Sequence, residues 1–297
     1  MKVTPIAFDS LGVRSMATFV ETQNINIIID PSVRLAPLRY NLPPHPIEIQ
    51  KMNETWQKIV EYAKVAQVVI ITHYHYDHHN PEMPELFKDK ILIIKNPQEN
   101  INYNQKVRAQ EFLSKISQFP KKLYYADKIS FYFGKTTIKC SDAVFHGMTN
   151  YTGYVIELLI AESDTEKLIF TSDVCGLILP SQVRFIIENN PTIIIADGPT
   201  HRYSNESWAA SVNNVTKIIA NTDVKTFIID HHLLRDFRYN EYFKQLKAHA
   251  AAKKINLVTA AEYLNEKNLL LEVKRKKLYE LYPPTQNNVL LGKSDIK

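Results

Sequence analysis

Val68-Val69-Ile70-Ile71-Thr72-His73-Tyr74-His75-Tyr76-Asp77-His78-His79 is the stretch on which the reading of this chain turns. Four successive β-branched residues favour a buried strand. Directly behind them stand four imidazoles and a carboxylate. Neutral imidazole nitrogens and carboxylate oxygens are the donors that hold zinc, iron or manganese. The HxHxDH spacing divides them, so that His73 and His75 can share one cation while Asp77 and His78 take another. With only 10 histidines in 297 residues, such a run would arise by chance on the order of once in a thousand chains. A metal site is expected where this strand ends.

Other donors follow apolar runs in the same way. Asp30 closes Ile25-Asn26-Ile27-Ile28-Ile29 before Pro31, and His146 follows the segment 139–145 and precedes Gly147. Asp173 follows 167–172, and His231 and His232 follow 226–230. Five motifs in this order resemble the signature of the metallo-β-lactamase superfamily, over most of the chain. The opening segment from Val3 to Met16 is similar to an archaeal branch of that superfamily, which brings no known substrate.

The resemblance implies an α/β fold, the four-layer αβ/βα sandwich. It implies two divalent metal ions, zinc first and iron or manganese as alternatives. His73, His75 and His146 would hold one, Asp77, His78 and His231 the other, and Asp173 would bridge them. His232 stays open as the alternative to His231. Asp30 is placed behind the ligands, where ligating imidazoles usually find a carboxylate for their other N–H. The implied reaction is hydrolysis by metal-activated water, with Asp77 and Asp173 as catalytic carboxylates and His201 as proton donor to the leaving group.

Composition sets bounds. Hydrophobic residues at 45% and charged residues at 23% are ordinary globular values, disfavouring disorder. No apolar run approaches the roughly 20 residues that cross a bilayer, and a secretory layout is absent at the N-terminus. A cytoplasmic protein without membrane association is expected. Two cysteines, Cys140 and Cys175, suit free buried thiols, and Cys175 is expected to pack beneath the metals. A net charge of +5 permits an anionic substrate without demanding nucleic acid. The basic run 274–277 reads as a solvated helix face.

Apolar runs alternating with amphipathic segments give a βα reading. A helix is expected from about 47 to 66, where Met52, Trp56, Ile59 and Ala63 share one face. The chain reads as one domain, 1–297, with a C-terminal helix over about 260–282 and a loosely held tail, 283–297. His79 is taken as a surface residue at a helix start. Residues 31–46, rich in proline, form a loop expected to overhang the metals. Arg34, Arg39 and Tyr40 on it, with Arg202 after a later strand, are the candidate substrate groups, since guanidinium suits phosphate or carboxylate.

These features favour a hydrolase of a small anionic ester, lactone or phosphodiester. A nuclease is the second reading, less favoured because 173–231 leaves no room for a large inserted cap. A non-catalytic metal-containing interaction protein is the third. The substrate, the native metal and the oligomeric state are not readable from sequence.

Overall fold

Short apolar runs assemble into two sheets. In the computed structural model, which describes residues 1–284, strands β1 (Lys2–Ala7), β2 (Ala17–Glu21), β3 (Asn26–Ile29), β4 (Val68–Ile71), β5 (Ile91–Ile94) and β6 (Lys122–Tyr125) form a six-stranded sheet in that order. β1 to β3 pair antiparallel and β3 to β6 parallel. The second sheet holds β7 (Ser130–Phe133), β8 (Thr136–Phe145), β9 (Tyr154–Ser163), β10 (Glu166–Phe170), β11 (Ile193–Ala196), β12 (Thr226–Ile229) and β13 (Asn256–Val258). It too begins antiparallel and turns parallel, from β10 onward.

The parallel strands are apolar on both faces because both faces are covered. One side of each sheet meets the other sheet: Ile29, Val68 and Ile70 pack with Ile156, Leu158, Phe170, Ile195 and Ile228. The outer face of the first sheet is covered by α1 (Pro46–Val65) and α2 (Tyr103–Ile116). α3 (Pro180–Asn189), α4 (Asn205–Asn221) and α5 (Tyr239–Ala252) cover that of the second. The result is the four-layer sandwich. α1 starts at a capping box, in which the His45 side chain accepts from backbone N–H and Glu48 returns a bond to the His45 N–H, and it buries Met52, Trp56, Ile59 and Ala63.

Three features depart from expectation. α3 has no counterpart in the sequence reading; Pro180 opens it at a position where the missing N–H costs nothing. The anticipated helix over 260–282 is two short ones, α6 (Ala260–Tyr263) and α7 (Arg275–Leu281). Helical geometry stops at Asn265, at φ 59°, because the chain between them is spent on long-range ties: Leu269 N–H donates to Ser10 O at 2.7 Å and Glu272 takes Arg14 at 2.6 Å. Within the basic run, Arg275 is buried on Glu48 at 2.8 and 2.9 Å rather than solvated. Of the expected loose tail, residues 285–297 lie outside the described residues. No helix among the described residues is long and apolar enough to cross a membrane.

Candidate metal centre

Parallel strands end together at one rim, and their last residues lie close in space whatever their separation along the chain. β3 delivers Asp30, β4 the histidine run, β8 His146, β10 Asp173, β11 Asp197, and β12 His231 and His232. Several non-glycine residues at these ends hold left-handed backbone: Asp30 at φ 48°, Ser172 at 57°, Cys175 at 55° and His231 at 48°. Each costs on the order of 1 kcal/mol, and such conformations collect where geometry serves a site.

Two sets of four donors converge. His73, His75, His146 and Asp173 form one, and Asp77, His78, Asp173 and His231 the other; within each set the ligand atoms lie within 4.8 Å of one another. Asp173 belongs to both. Its Oδ2 faces His73 Nε2 at 3.8 Å and His146 Nε2 at 3.3 Å, while Oδ1 faces His78 Nε2 at 3.2 Å and His231 Nε2 at 3.4 Å. His231 Nε2 also stands 3.7 Å from Asp77 Oδ2.

The donor set fits divalent cations. Nε2 of His73, His78 and His146 and Oδ1 of Asp173 are buried without a hydrogen-bond partner. Leaving such groups unsatisfied costs about 1–3 kcal/mol each, and a cation at their meeting point satisfies them together.

Behind the donors stand the groups that hold their orientation. Asp30 accepts from His78 Nδ1 at 2.8 Å and from Thr72 N–H and Oγ1 at 2.8 and 2.6 Å. Asp9 takes His231 Nδ1 at 2.8 Å, and Arg235 Nε donates to Asp9 at 2.8 Å. Asp197 takes His232 Nδ1 at 2.8 Å and the backbone N–H of Cys175 at 2.6 Å. Cys175 Sγ lies 3.5 Å from the Nδ1 atoms of both His146 and His232. Burial pushes its thiol pKa well above the usual range. Gly147 is required next to His146: at φ 90°, a Cβ there would come within 2.6 Å of the Tyr203 hydroxyl.

Electrostatics separate the histidines. Burial works against charge on His78, yet the carboxylates of Asp173 and Asp30 outweigh it and hold its pKa well above normal. Burial likewise opposes charge on His231, but the carboxylates of Asp173 and Asp9 bring its pKa up to about 9. Burial, reinforced by His146, takes His75 down to about 3. Burial depresses His73 and His232 as well.

The remaining candidates sort by position. His232 lies outside both sets of four, although its Nε2 is 3.6 Å from Asp173 Oδ2. His201 is half-buried, with its Nε2 3.1 Å from Arg39 Nη1; burial and Arg39 lower its pKa to about 4. Arg39 also donates to Arg235 O at 2.7 Å, and the Tyr40 hydroxyl donates to Val273 O at 3.0 Å. Arg202 is exposed, and Arg34 is half-buried beside Tyr76 at 5.6 Å. His79 is no surface residue: it is fully buried, bonded to His75 O at 2.9 Å and stacked on Tyr76. Its ring wedges the histidine loop against Phe112 of α2. Sequence reasoning assigned no role to Asp9, which only the tertiary fold brings here.

Two stacked mixed sheets, flanked by helices and carrying His and Asp donors at one rim, are the architecture of the metallo-β-lactamase fold. The chain belongs to the UPF0282 family: it is 43% identical over 295 residues to the UPF0282 protein of Korarchaeum cryptofilum, covering 97% of this chain and 98% of that one. No family model matches it. Among solved structures it resembles the isothiocyanate hydrolase from Delia radicum gut bacteria, with a TM-score of 0.53 at 15% identity over 86% of this chain and 95% of that one. It also resembles CmlA, a diiron β-hydroxylase from Streptomyces venezuelae, with a TM-score of 0.50 at 11% identity over 82% and 51%. At such identities the likeness speaks for the fold alone.

Proposed function

We propose that this protein is a dinuclear metal-dependent hydrolase acting on a small anionic ester, lactone or phosphodiester. The observation that carries the reading is the sharing of Asp173 by two four-donor sets, in which Nε2 of His73, His78 and His146 is buried and unpartnered. His73, His75 and His146 would hold one cation, and Asp77, His78 and His231 the other. Zinc suits this nitrogen and oxygen set, as do iron and manganese. When bound, such cations polarise the oxygen of a scissile bond and lower the pKa of water toward neutrality.

The chain's own residues decide the rest. Asp173, with 2% of its side chain exposed, is sealed beneath the donors, whereas Asp77 is 19% exposed. His75 is also only partly covered. These two mark the open side, across which a substrate would enter. Arg235 Nη2 stands 3.7 Å from Asp77 Oδ2 and orients that carboxylate. His201, held by Arg39, would border the leaving group. We read the chain as a single domain and its setting as the cytoplasm.

Hydrolysis by metal-loaded protein of a panel of esters, lactones and phosphodiesters tests the proposal. Turnover that chelator removes and added metal restores is expected. No turnover of any member by fully loaded protein would sink it.

A further inference from the structure

Two guanidinium groups beside the histidine loop have no anionic partner among the described residues. Tyr76 stands in the chain between His75 and Asp77, the two donors at the mouth, and the Ser32 hydroxyl donates to its carbonyl at 2.6 Å. Arg34 lies 5.6 Å and Arg108 5.0 Å from the centre of its ring. Both arginines are half-buried, and neither side chain forms an ion pair or hydrogen bond among the described residues.

The carboxylates nearby are committed elsewhere. Glu82 pairs with Lys115 at 2.5 Å, Glu111 takes both Lys115 at 3.0 Å and the Tyr76 hydroxyl at 2.8 Å, and Asp77 faces His231 and Arg235. Elsewhere in the fold, Arg14, Arg235, Arg238 and Arg275 each have a carboxylate. Desolvating guanidinium without an anion is unfavourable, and its planar fork matches carboxylate or phosphate oxygens. Stacking against Tyr76 holds the groups in place and leaves their donors to a ligand.

We propose that Arg34 and Arg108 form an oxyanion subsite at the mouth of the metal centre. It takes a carboxylate or phosphate that a small substrate carries apart from the bond it loses. This rests on the hydrolase reading and deepens it. Arg34, from the loop after β3, and Arg108, from α2, approach Tyr76 from separate elements, so the subsite selects substrates by where their charge lies relative to the scissile bond.

The test is calorimetric titration of metal-loaded wild type, Arg34→Gln and Arg108→Gln with glutarate and with inorganic phosphate, with metal content measured on the same samples. Wild type should bind one of the two anions, and each variant should bind it about tenfold to a hundredfold more weakly with metal content unchanged. Glutarate as the preferred anion assigns a carboxylate, phosphate a phosphoryl group. Equal affinity in wild type and variants, or no binding of either anion to wild type, overturns the subsite. Short single-stranded RNA binding more tightly than both anions, and losing affinity in both variants, would overturn its small-molecule assignment. Metal-poor wild type would instead count against the hydrolase reading beneath it.

Discussion

The two halves of the donor cluster are backed by different chemistry. His78 and His231 rest their Nδ1 atoms on carboxylates, Asp30 and Asp9, at 2.8 Å each. His73 finds only the hydroxyls of Thr72 and Ser172, at 3.2 and 3.3 Å, and His146 only the thiol of Cys175, at 3.5 Å. A carboxylate behind an imidazole raises its basicity and fixes its ring; a hydroxyl or thiol does so weakly. The half built from Asp77, His78 and His231 should therefore hold its cation by charge and rigid backing. The half built from His73, His75 and His146 should hold it by three weakly backed imidazole nitrogens and the shared Asp173.

The largest effect should come from removing what the halves have in common. Asp173→Ala should weaken both cations by more than about a hundredfold, the upper end of what loss of a group behind the ligands costs. Competitive chelator titration would measure it, and loss of one cation alone would mean that Asp173 is not shared.

Next come the groups behind each half. Asp30→Asn should lower affinity at the carboxylate-backed half by about tenfold to a hundredfold, while Cys175→Ser should change the other half by less than about threefold. Titration of each variant with metal, followed by calorimetry, distinguishes them. Equal effects would erase the comparison.

Proton competition gives a third contrast. In metal-free protein the folded-state pKa of His231 is raised from 6.5 to about 9. The stability this contributes is fully present below the unfolded value of 6.5 and is lost as pH rises through about 9. A cation must displace that proton and the one that Asp173 and Asp30 hold on His78, so affinity at this half should climb with pH through about 9. His75, at about 3, and His73, depressed by burial, are already neutral and should add no such climb at the other half. Calorimetry across this pH range, in buffers of different ionisation enthalpy, would count the protons released.

The smallest expected effect concerns the link between Asp30 and the histidine strand. Thr72→Val removes a hydroxyl that bonds Asp30 Oδ2 at 2.6 Å and Ser172 at 2.6 Å but leaves the backbone bond to Oδ1. Because Oδ2 keeps its bond from His78, the substitution should lower conformational stability by only about 0.5–1.5 kcal/mol, read from denaturant unfolding of the metal-free protein, with Asp30→Asn as reference.

Much of this arrangement was legible in the chain. β-branched runs marked the strands, and a donor directly after each run is a local signal that survives without tertiary information. The convergence of His146, Asp173 and His231 with the HxHxDH loop was implied by the family resemblance, and their place after successive strands agreed with one shared rim. What lay hidden depends on distant pairing. Asp9 follows no donor-rich motif and reaches His231 only because Arg235 and the turn after β1 meet across the sandwich. Arg108 sits on an amphipathic helix whose sequence says which face is buried, but not that the exposed edge meets Tyr76. His79 was misplaced for the same reason, since α2, which covers it, begins 24 residues later in the chain, at Tyr103.

Metal content per chain, measured by elemental analysis on protein purified without chelator, tests the central claim most directly, with His78→Ala and His146→Ala beside the wild type. Wild type should carry about two equivalents of zinc, iron or manganese and each variant about one. One equivalent or none in wild type, even after reconstitution, would contradict two donor sets joined at Asp173.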